Sequence, residues 1–192
     1  MAPPHENNSL TYAEYLKLDE EVQYEVIDGR IYNMSPSPNV KHQSIAMELS
    51  TEFNVYLRNK SCRVLAEVDV CLCEEEDLTK VNEWVKPDIV IVCDEDKIHK
   101  SRIVGAPDLI VEILSKSTAK TDRMIKFHRY QRAGVKEYWI VDPAHETIDA
   151  YVLENELYKH NGTYTNDEVI EVRIFDDLSI DLKNVFREEF EK

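Results

Sequence analysis

The segment APDLIVEILSKST, residues 106–118, places a carboxylate inside an apolar run. The Leu, Ile and Val residues around Glu112 have the length and composition of a β-strand that is covered on both faces. An unpaired buried carboxylate costs several kcal/mol, so the chain has to neutralise it, pair it with a cation or bind it to a metal. The fold must therefore bring a compensating group to this point of a central strand.

A second apolar run, PDIVIVC at residues 87–93, begins with Asp88. If the two runs are neighbouring strands, the two carboxylates converge, and they repel each other unless a cation lies between them. Ligand sets made only of oxygen suit Mg²⁺ or Mn²⁺. Either ion lowers the pKa of a bound water and stabilises the charge on a phosphate under attack. The pattern alone leaves two interpretations open: a metal site, or a buried salt bridge from Glu112 to a Lys or Arg.

Asp108 makes a rival Pro-Asp pair. It precedes Glu112 by four residues, which places it about 13 Å away along the same strand. That distance is too long for two ligands of one metal, so Asp88 is the preferred partner.

Residues 116–136 carry seven lysines and arginines and one aspartate, although the chain has a formal net charge of −15. The overall charge argues against nucleic-acid binding, because phosphates repel an acidic surface. A segregated basic segment is either a solvated helix face or a surface that faces phosphate. Its periodicity predicts a helix from about Ala119 to Ala133, ended by Gly134.

The whole pattern predicts one mixed α+β domain over residues 1–192, with a sheet core flanked by helices. Thr11 and Glu14 match a capping box at a short helix, and Asp28-Gly29 predicts a hairpin turn. Residues 40–60 have helical periodicity.

The remaining segments are predicted as strands. CRVLAEVDVCL at residues 62–72 alternates as one strand, and EYWIVDP at residues 137–143 reads as another central strand. The C-terminal segment is predicted as an antiparallel meander with Asn161-Gly162 at a turn. The aromatic residues of these regions are expected in the core: Trp84, Tyr138 and Trp139.

The four cysteines, Cys62, Cys71, Cys73 and Cys93, form no C-x-x-C pair. This disfavours zinc, and we expect reduced, partly buried thiols in a cytoplasmic protein. No apolar run approaches the roughly 20 residues of a membrane-spanning helix, and the first residues lack the pattern of a signal peptide. We therefore expect no membrane association.

Four segments together resemble the Uma2 family of restriction-endonuclease-like proteins: YEVIDGRIYNMSP, PDIVIV, APDLIVEILSKST and DRMIKFHRYQRAGVKEYWIVDP. The similarity spans roughly residues 11–150. The family belongs to the PD-(D/E)xK nuclease superfamily, so the resemblance implies a mixed β-sheet flanked by helices and a Mg²⁺- or Mn²⁺-dependent endonuclease acting on DNA. It also implies that Asp88 and Glu112 are metal ligands and catalytic residues.

The sequence departs from the superfamily motif at Leu114, where a lysine is expected two residues after Glu112. The superfamily can supply this lysine from another element, and Lys126 is the candidate. Lys126 shares a helical face with Arg129 and Tyr130. Directed at the sheet, its ammonium would orient or deprotonate water, or offset phosphate charge; directed outward, it would be a solvated lysine.

Other residues of the family-like segments have weaker assignments. Glu25 is a candidate third acid, and His42 is either a site residue or a helix-surface histidine. Asp122 is expected to stabilise the first turn of the basic helix. The residues predicted to contact the nucleic-acid backbone are Lys116, Lys120, Arg123 and Arg129.

Two functions from different classes follow. The first is a metal-dependent nuclease in which Asp88 and Glu112 hold metal and Lys126 assists. The second is a nuclease fold without chemistry that serves as a nucleic-acid-binding or regulatory module, which the missing motif lysine and the acidic charge favour. The resemblance, and the need of a nuclease to reach both strands, also imply a homodimer.

Overall fold

The computed structural model describes residues 10–18, 23–34 and 39–187. The helices are α1 (Tyr12–Tyr15), α2 (Val40–Leu57), α3 (Phe127–Ala133) and α4 (Leu182–Val185), with a 3₁₀ turn at Glu95–Lys97 and a π-helical segment at Thr121–Lys126. The strands are β1 (Tyr24–Ile27), β2 (Arg30–Asn33), β3 (Arg63–Ala66), β4 (Asp69–Cys71), β5 (Ile89–Val92), β6 (Arg102–Val104), β7 (Leu109–Ile113), β8 (Glu137–Asp142), β9 (Thr147–Glu154), β10 (Leu157–Thr165), β11 (Val169–Glu171) and β12 (Ser179–Asp181).

The main sheet is mixed and has six strands in the order β10-β9-β8-β7-β5-β3. Strands β7 and β8 are parallel, and the π-helical segment and α3 connect them. One face of the sheet packs against α2 through Ile45, Leu49 and Phe53, and the opposite face packs against Tyr130 of α3. The predicted α+β class, with a mixed sheet between helices, is confirmed.

The two apolar runs are central strands, as expected, and they are neighbours, which the sequence left open. Strand β5 pairs antiparallel with β7, and Ile89 lies opposite Val111. The next position in this register sets Asp88 beside Glu112. Asp108 lies at the other end of β7, where it accepts a hydrogen bond from the backbone N–H of Cys93 and pairs with Lys136.

The short motifs near the N-terminus form as predicted. Thr11 and Glu14 make a reciprocal capping box on α1. Asp28 and Gly29 connect β1 to β2 with φ angles of 49° and 71°, the left-handed pair that a tight hairpin turn requires. The aromatic residues expected in the core are fully buried: Trp84, Tyr138 and Trp139.

Two local predictions are wrong. The segment read as one strand at residues 62–72 divides into β3 and β4 at Glu67, whose φ is 51°, and β4 pairs with β6 outside the main sheet. Asn161-Gly162 is a bulge inside β10, and the chain reverses instead at Asn155 and Glu156, with φ angles of 50° and 66°. The predicted antiparallel C-terminus is present in the β9–β10 and β11–β12 pairs.

The basic helix ends at Gly134, as predicted, with φ at 87°. Its first part differs from an α-helix because Thr121–Lys126 is π-helical. A π-helical turn closes i to i+5 and is found most often at functional sites. This irregularity decides which side chains of the segment face the sheet.

The expectation of four reduced thiols is wrong for two of them, because Cys62 and Cys93 form a disulfide. They flank the paired residues Arg63 and Val92 of β3 and β5, so strand pairing alone brings them together. Cys71 is a free thiol, and burial raises its pKa to about 12. Because two of the four cysteines form this disulfide, the cysteines no longer indicate a cytoplasmic location, and that location stays a prediction. Among the described residues, no helix has both the length and the apolar character needed to cross a bilayer.

The disulfide predicts a thiol count and a stability change. Denatured, unreduced protein should contain two titratable thiols, and reduced protein four, since the chain has four cysteines. The bond joins residues separated by 31 positions, and the chain-entropy relation for a loop of that length gives about 3–4 kcal/mol of stability. Urea unfolding with and without reductant measures this difference, and Cys62→Ser should match the reduced protein under both conditions. Four free thiols in unreduced protein would contradict the assignment.

Candidate active site

Glu112 lies in the middle of β7 and is paired. Its side chain is almost completely buried. Lys126 Nζ lies 3.0 Å from Glu112 Oε1, and Tyr130 Oη donates a hydrogen bond of 2.6 Å to the same oxygen. A lysine and a tyrosine of the basic helix therefore provide the compensation that this carboxylate requires.

Lys126 is the centre of the cluster. Its Nζ lies 2.7 Å from Glu25 Oε1 and 3.6 Å from Asp122 Oδ1, in addition to the contact with Glu112. The side chain is buried, so the alternative of a solvated lysine is excluded. The expected position of the ammonium beside Glu112 is confirmed, while its catalytic role stays a prediction.

The change from π- to α-helix aligns three inward side chains. Asp122, Lys126 and Tyr130 are each four residues apart. Four residues exceed one α-helical turn of about 3.6 residues and fall short of one π-helical turn. Because Asp122–Lys126 lies in the π part and Lys126–Tyr130 in the α part, the two deviations offset each other and all three residues face the sheet.

Glu25 enters from β1, outside the main sheet. Its Oε1 accepts a hydrogen bond of 2.8 Å from the backbone N–H of Lys86 and the contact from Lys126. The side chain is buried. The β1–β2 hairpin therefore contributes one acid to the cluster, in agreement with the expected location of Glu25.

Asp88 is the more accessible acid of the site, with a side chain that is 21% exposed. Its Oδ2 accepts a hydrogen bond of 2.7 Å from the backbone N–H of Ile113, which fixes the carboxylate next to Glu112. His42 reaches the same oxygen from the first turn of α2, with Nε2 at 3.4 Å. Burial by itself would lower the pKa of His42, but the hydrogen bond and charge of Asp88 outweigh it and raise the pKa.

The cluster has more negative than positive charge. The carboxylates of Glu25, Glu112 and Asp122 contact Lys126. Asp88 adds a fourth negative charge near Glu112, and His42 beside it can add at most one further positive charge. Burial raises the pKa of Glu112 well above its usual value; Lys126 opposes this shift and the neighbouring acids reinforce it. Burial alone would lower the pKa of Lys126, but the surrounding carboxylates raise it well above its usual value. The site therefore favours an additional cation or proton.

Two features of the acids bear on whether a divalent metal fits here. Asp122 Oδ1 is buried and has no hydrogen-bond partner among the described residues. The hydrogen bonds that described residues make to Glu112 both reach Oε1. Within the same residues, no group of three or more acid, histidine or cysteine side chains is placed to hold a metal ion, so a metal here would depend on two carboxylates and water. Asp88 and Glu112 with several waters would suit Mg²⁺, which keeps part of its hydration shell.

The four predicted phosphate-contacting residues differ in accessibility. Lys116 and Lys120 are exposed. Arg123 pairs with Asp142 and Asp149. Arg129 is the exception to the expected surface position, because its side chain is only 11% exposed and pairs with Glu83 at 2.7 Å. Lys116 and Lys120 make no ion pair with the described residues, so these two of the four can meet a phosphate without first breaking one.

Sequence reasoning missed two members of the cluster. Asp122, expected at the start of a helix, is instead buried beside Lys126, and Tyr130 was given no role beyond its helical face. The spacing of four residues through Lys126 was the available signal. Leu114, at the motif lysine position, packs against the core on the α3 side of the sheet.

Comparisons with known proteins agree with this architecture. The family model "Uma2: Putative restriction endonuclease" matches residues 12–183. The uncharacterized protein slr1290 of Synechocystis sp. is 29% identical over 145 residues, covering 74% of this chain and 73% of that protein. The uncharacterized protein sll1609 of the same organism is 25% identical over 148 residues, covering 74% and 80%.

A solved structure has the same fold. The crystal structure of "a putative nuclease belonging to DUF820" from Anabaena variabilis superposes with a TM-score of 0.71 and 23% identity, covering 92% of this chain and 97% of that one. At this level of identity the likeness concerns the fold.

Proposed function

Because the chain belongs to the Uma2 family, described as "Putative restriction endonuclease", we propose that it hydrolyses phosphodiester bonds of DNA with the help of Mg²⁺ or Mn²⁺. One observation carries the proposal. Lys126, supplied by the helix after β7, lies 3.0 Å from Glu112, which supports it as the substitute for the lysine expected at Leu114. A carboxylate of a central strand, an adjacent Asp88 and a lysine are the parts that this reaction needs.

The metal would be held by Asp88 and Glu112. When bound, a divalent cation lowers the pKa of a coordinated water and neutralises charge on the phosphate. The backbone N–H of Ile113 and the ring of His42 hold Asp88 in place for this task. Asp122 and Glu25 also contact Lys126, and these contacts orient its ammonium.

Lys126 acts as a cation in this scheme. Its raised pKa keeps it protonated at neutral pH, so it is suited to donate a hydrogen bond to the attacked phosphate and to offset the charge that develops there. Removal of a proton from water by Lys126 would require a preceding fall in this pKa, which a bound divalent cation would produce. Tyr130 would hold Glu112 in place for this role through its hydrogen bond to Oε1.

A second candidate function is a binding or regulatory module without chemistry. The specific observation in its favour is that one side chain of the protein, the ammonium of Lys126, pairs with both Glu25 and Glu112. The net charge of −15 also favours a partner other than DNA, because an acidic surface repels phosphates.

The test is a cleavage assay on single- and double-stranded DNA and RNA, with Mg²⁺ and with Mn²⁺. Cleavage by the wild type that disappears with EDTA and with Glu112→Gln supports the nuclease. Cleavage that both proteins perform equally would come from a contaminant and contradict the proposal. Metal-independent binding of nucleic acid without cleavage under any condition would support the second function.

Binding to DNA should be strongly salt-dependent and should involve the two exposed lysines. Each phosphate that a protein neutralises contributes about 0.9 to the slope of log affinity against log salt on B-DNA. Lys116→Glu with Lys120→Glu should therefore weaken binding and reduce this slope by roughly 2, measured by fluorescence anisotropy. The matched control, Lys17→Glu with Lys100→Glu, makes the same charge change at exposed lysines outside the basic segment and should leave the slope near that of the wild type. Equal losses in both variants would remove the basic segment from the interface.

A further inference from the structure

The outer face of α2 bears no charge. Seven residues of this helix are exposed, and none of them is acidic or basic: Val40, Gln43, Ser44, Met47, Thr51, Asn54 and Val55. The chain as a whole is 32% charged, with a net charge of −15. The neutral surface along α2 therefore contrasts with the composition of the chain as a whole.

The charged residues of α2 are turned towards the body of the protein. Lys41 pairs with Glu146 at 2.7 Å, and Glu48 pairs with Arg187 at 3.3 Å. Glu52 is partly buried. These ion pairs direct charge away from the outer face and leave that face neutral.

The outer face is also apolar along its centre. Val40, Met47 and Val55 are 80%, 65% and 58% exposed. Their spacing of seven and eight residues places them on one side of an α-helix. The hydroxyl of Thr51, between them, donates to the carbonyl oxygen of Met47, so it requires no water. Exposed apolar side chains aligned in this way characterise interaction surfaces.

We propose that the outer face of α2 binds the same face of a second copy of this chain, as an isologous dimer. Two molecules that each carry a charge of −15 repel one another, and the repulsion is smallest where both present a neutral surface. A positively charged partner would bind to the acidic surface elsewhere on the molecule and not to this neutral face. A two-fold axis makes such a surface self-complementary.

The geometry indicates a weak dimer. A helix of 18 residues is about 27 Å long, and one pair of such helices buries less than the roughly 1,200 Å² typical of stable complexes. With the axis between Met47 and Thr51, antiparallel helices place the two His42 residues about 20 Å apart along the helix direction. His42 is buried on the inner side of α2 and contacts Asp88, so the two candidate sites would be separated by at least this distance.

The test is analytical ultracentrifugation over a range of micromolar concentrations, without metal or nucleic acid. We expect the wild type to show a monomer–dimer equilibrium. Met47→Glu with Val55→Glu should raise the dissociation constant at least about tenfold, because each dimer would bury four like charges. The matched control is Leu157→Glu with Val169→Glu, which changes two side chains of similar exposure outside α2 and should dimerise like the wild type.

Several outcomes would overturn the proposal. A wild type that stays monomeric at every concentration does so, as does a dimer that the α2 variant forms with unchanged affinity. A control variant that also becomes monomeric would move the interface to β10 and β11. Thermal melting verifies that each variant is folded, which is expected because all four side chains are exposed. The measurement contains no substrate, so its result is independent of whether the protein cleaves DNA.

Discussion

Exchanging Glu112 for glutamine is expected to abolish both Mn²⁺ binding and cleavage while the protein stays folded. An amide oxygen is a much weaker ligand for a hard divalent cation than a carboxylate. The fold should tolerate the change, because Lys126 retains Glu25 and Asp122 as partners. Burial raises the pKa of Glu112 well above its usual value, so loss of this charge removes a destabilising group and the melting temperature should hold or rise. Isothermal titration with Mn²⁺ and thermal melting measure the two effects.

Asp88→Asn should have the same effect on metal binding. The asparagine keeps an oxygen that can accept the hydrogen bond from Ile113 N–H, so the change removes the charge without leaving a buried donor unpaired. Asp108→Asn is the matched control, since Asp108 also follows a proline and begins a central strand but pairs with Lys136 at the opposite end. Full Mn²⁺ affinity in Glu112→Gln would end the metal-site hypothesis, and unfolding of Glu112→Gln would assign the residue to a structural salt bridge.

The parts of this fold that sequence predicts are those set by local chemistry. Asp28 and Gly29 both adopt positive φ angles, which few other residue pairs do at low cost, so the hairpin could be read directly. The apolar runs before and after residue 100 have the composition of strands covered on both faces, and this predicts β5 and β7 as central strands. Composition does not decide that they are neighbours, which depends on the sheet order.

The failures have a common physical origin, because each depends on contacts distant in sequence. Asn161-Gly162 has turn chemistry, yet the pairing of β10 with β9 continues through it, and the turn forms at Asn155-Glu156 instead. The Cys62–Cys93 bond spans 31 positions and follows from the register of β3 with β5. No spacing rule within the chain encodes that register.

Asp122 belongs to the cluster around Lys126, and the sequence does not predict this. An aspartate early in a helix normally interacts with free backbone N–H groups, and that reading suffices for an α-helix. The π-helical segment turns Asp122 inward, so the residue joins the acids around Lys126. Long-range packing determines this local geometry, and the helix propensity of the segment does not predict it.

Replacing Lys126 with methionine should destabilise the metal-free protein severely. Methionine preserves most of the volume but leaves Glu25, Glu112 and Asp122 without the cation that they share. Removing one partner of a buried ion pair typically costs about 3–5 kcal/mol. We expect a loss of this size in urea unfolding. Lys136→Met is the control, because its ion pair with Asp108 involves a lysine side chain that is 68% exposed, and exposed pairs contribute little.

The stability that Lys126→Met loses relative to the wild type should increase with pH. The pKa of Glu112 is raised in the folded chain, so protonation contributes stability that is fully present below the unfolded pKa and is lost as pH rises through the folded pKa. Lys126 is the group that opposes this shift, and its removal raises the folded pKa further. Lys126→Met should therefore be closest to the wild type at about pH 5 and furthest from it at about pH 8.

Divalent metal should rescue this variant more than it stabilises the wild type. A cation bound between Asp88 and Glu112 supplies the positive charge that the ammonium provided, so Mn²⁺ should raise the melting temperature of Lys126→Met by more than that of the wild type. An equal or smaller rise would mean that metal and ammonium do not share these carboxylates, and the nuclease proposal would lose its geometric basis.

Turnover should fall even where metal restores stability. Loss of a positioned charge stabiliser typically costs about 10²-fold or more, so Mn²⁺-loaded Lys126→Met should bind DNA and cleave it at least about a hundredfold more slowly.

Lys126→Arg should recover stability better than activity, because a guanidinium keeps the charge but not the shape of the ammonium. Leu114→Lys in the Lys126→Met background returns a lysine to the strand, on the same face as Glu112 and two residues beyond it. Partial recovery of cleavage would support a motif lysine that has moved from β7 to the helix behind it, whereas normal cleavage by Lys126→Met would assign the role to Lys116 or Lys120.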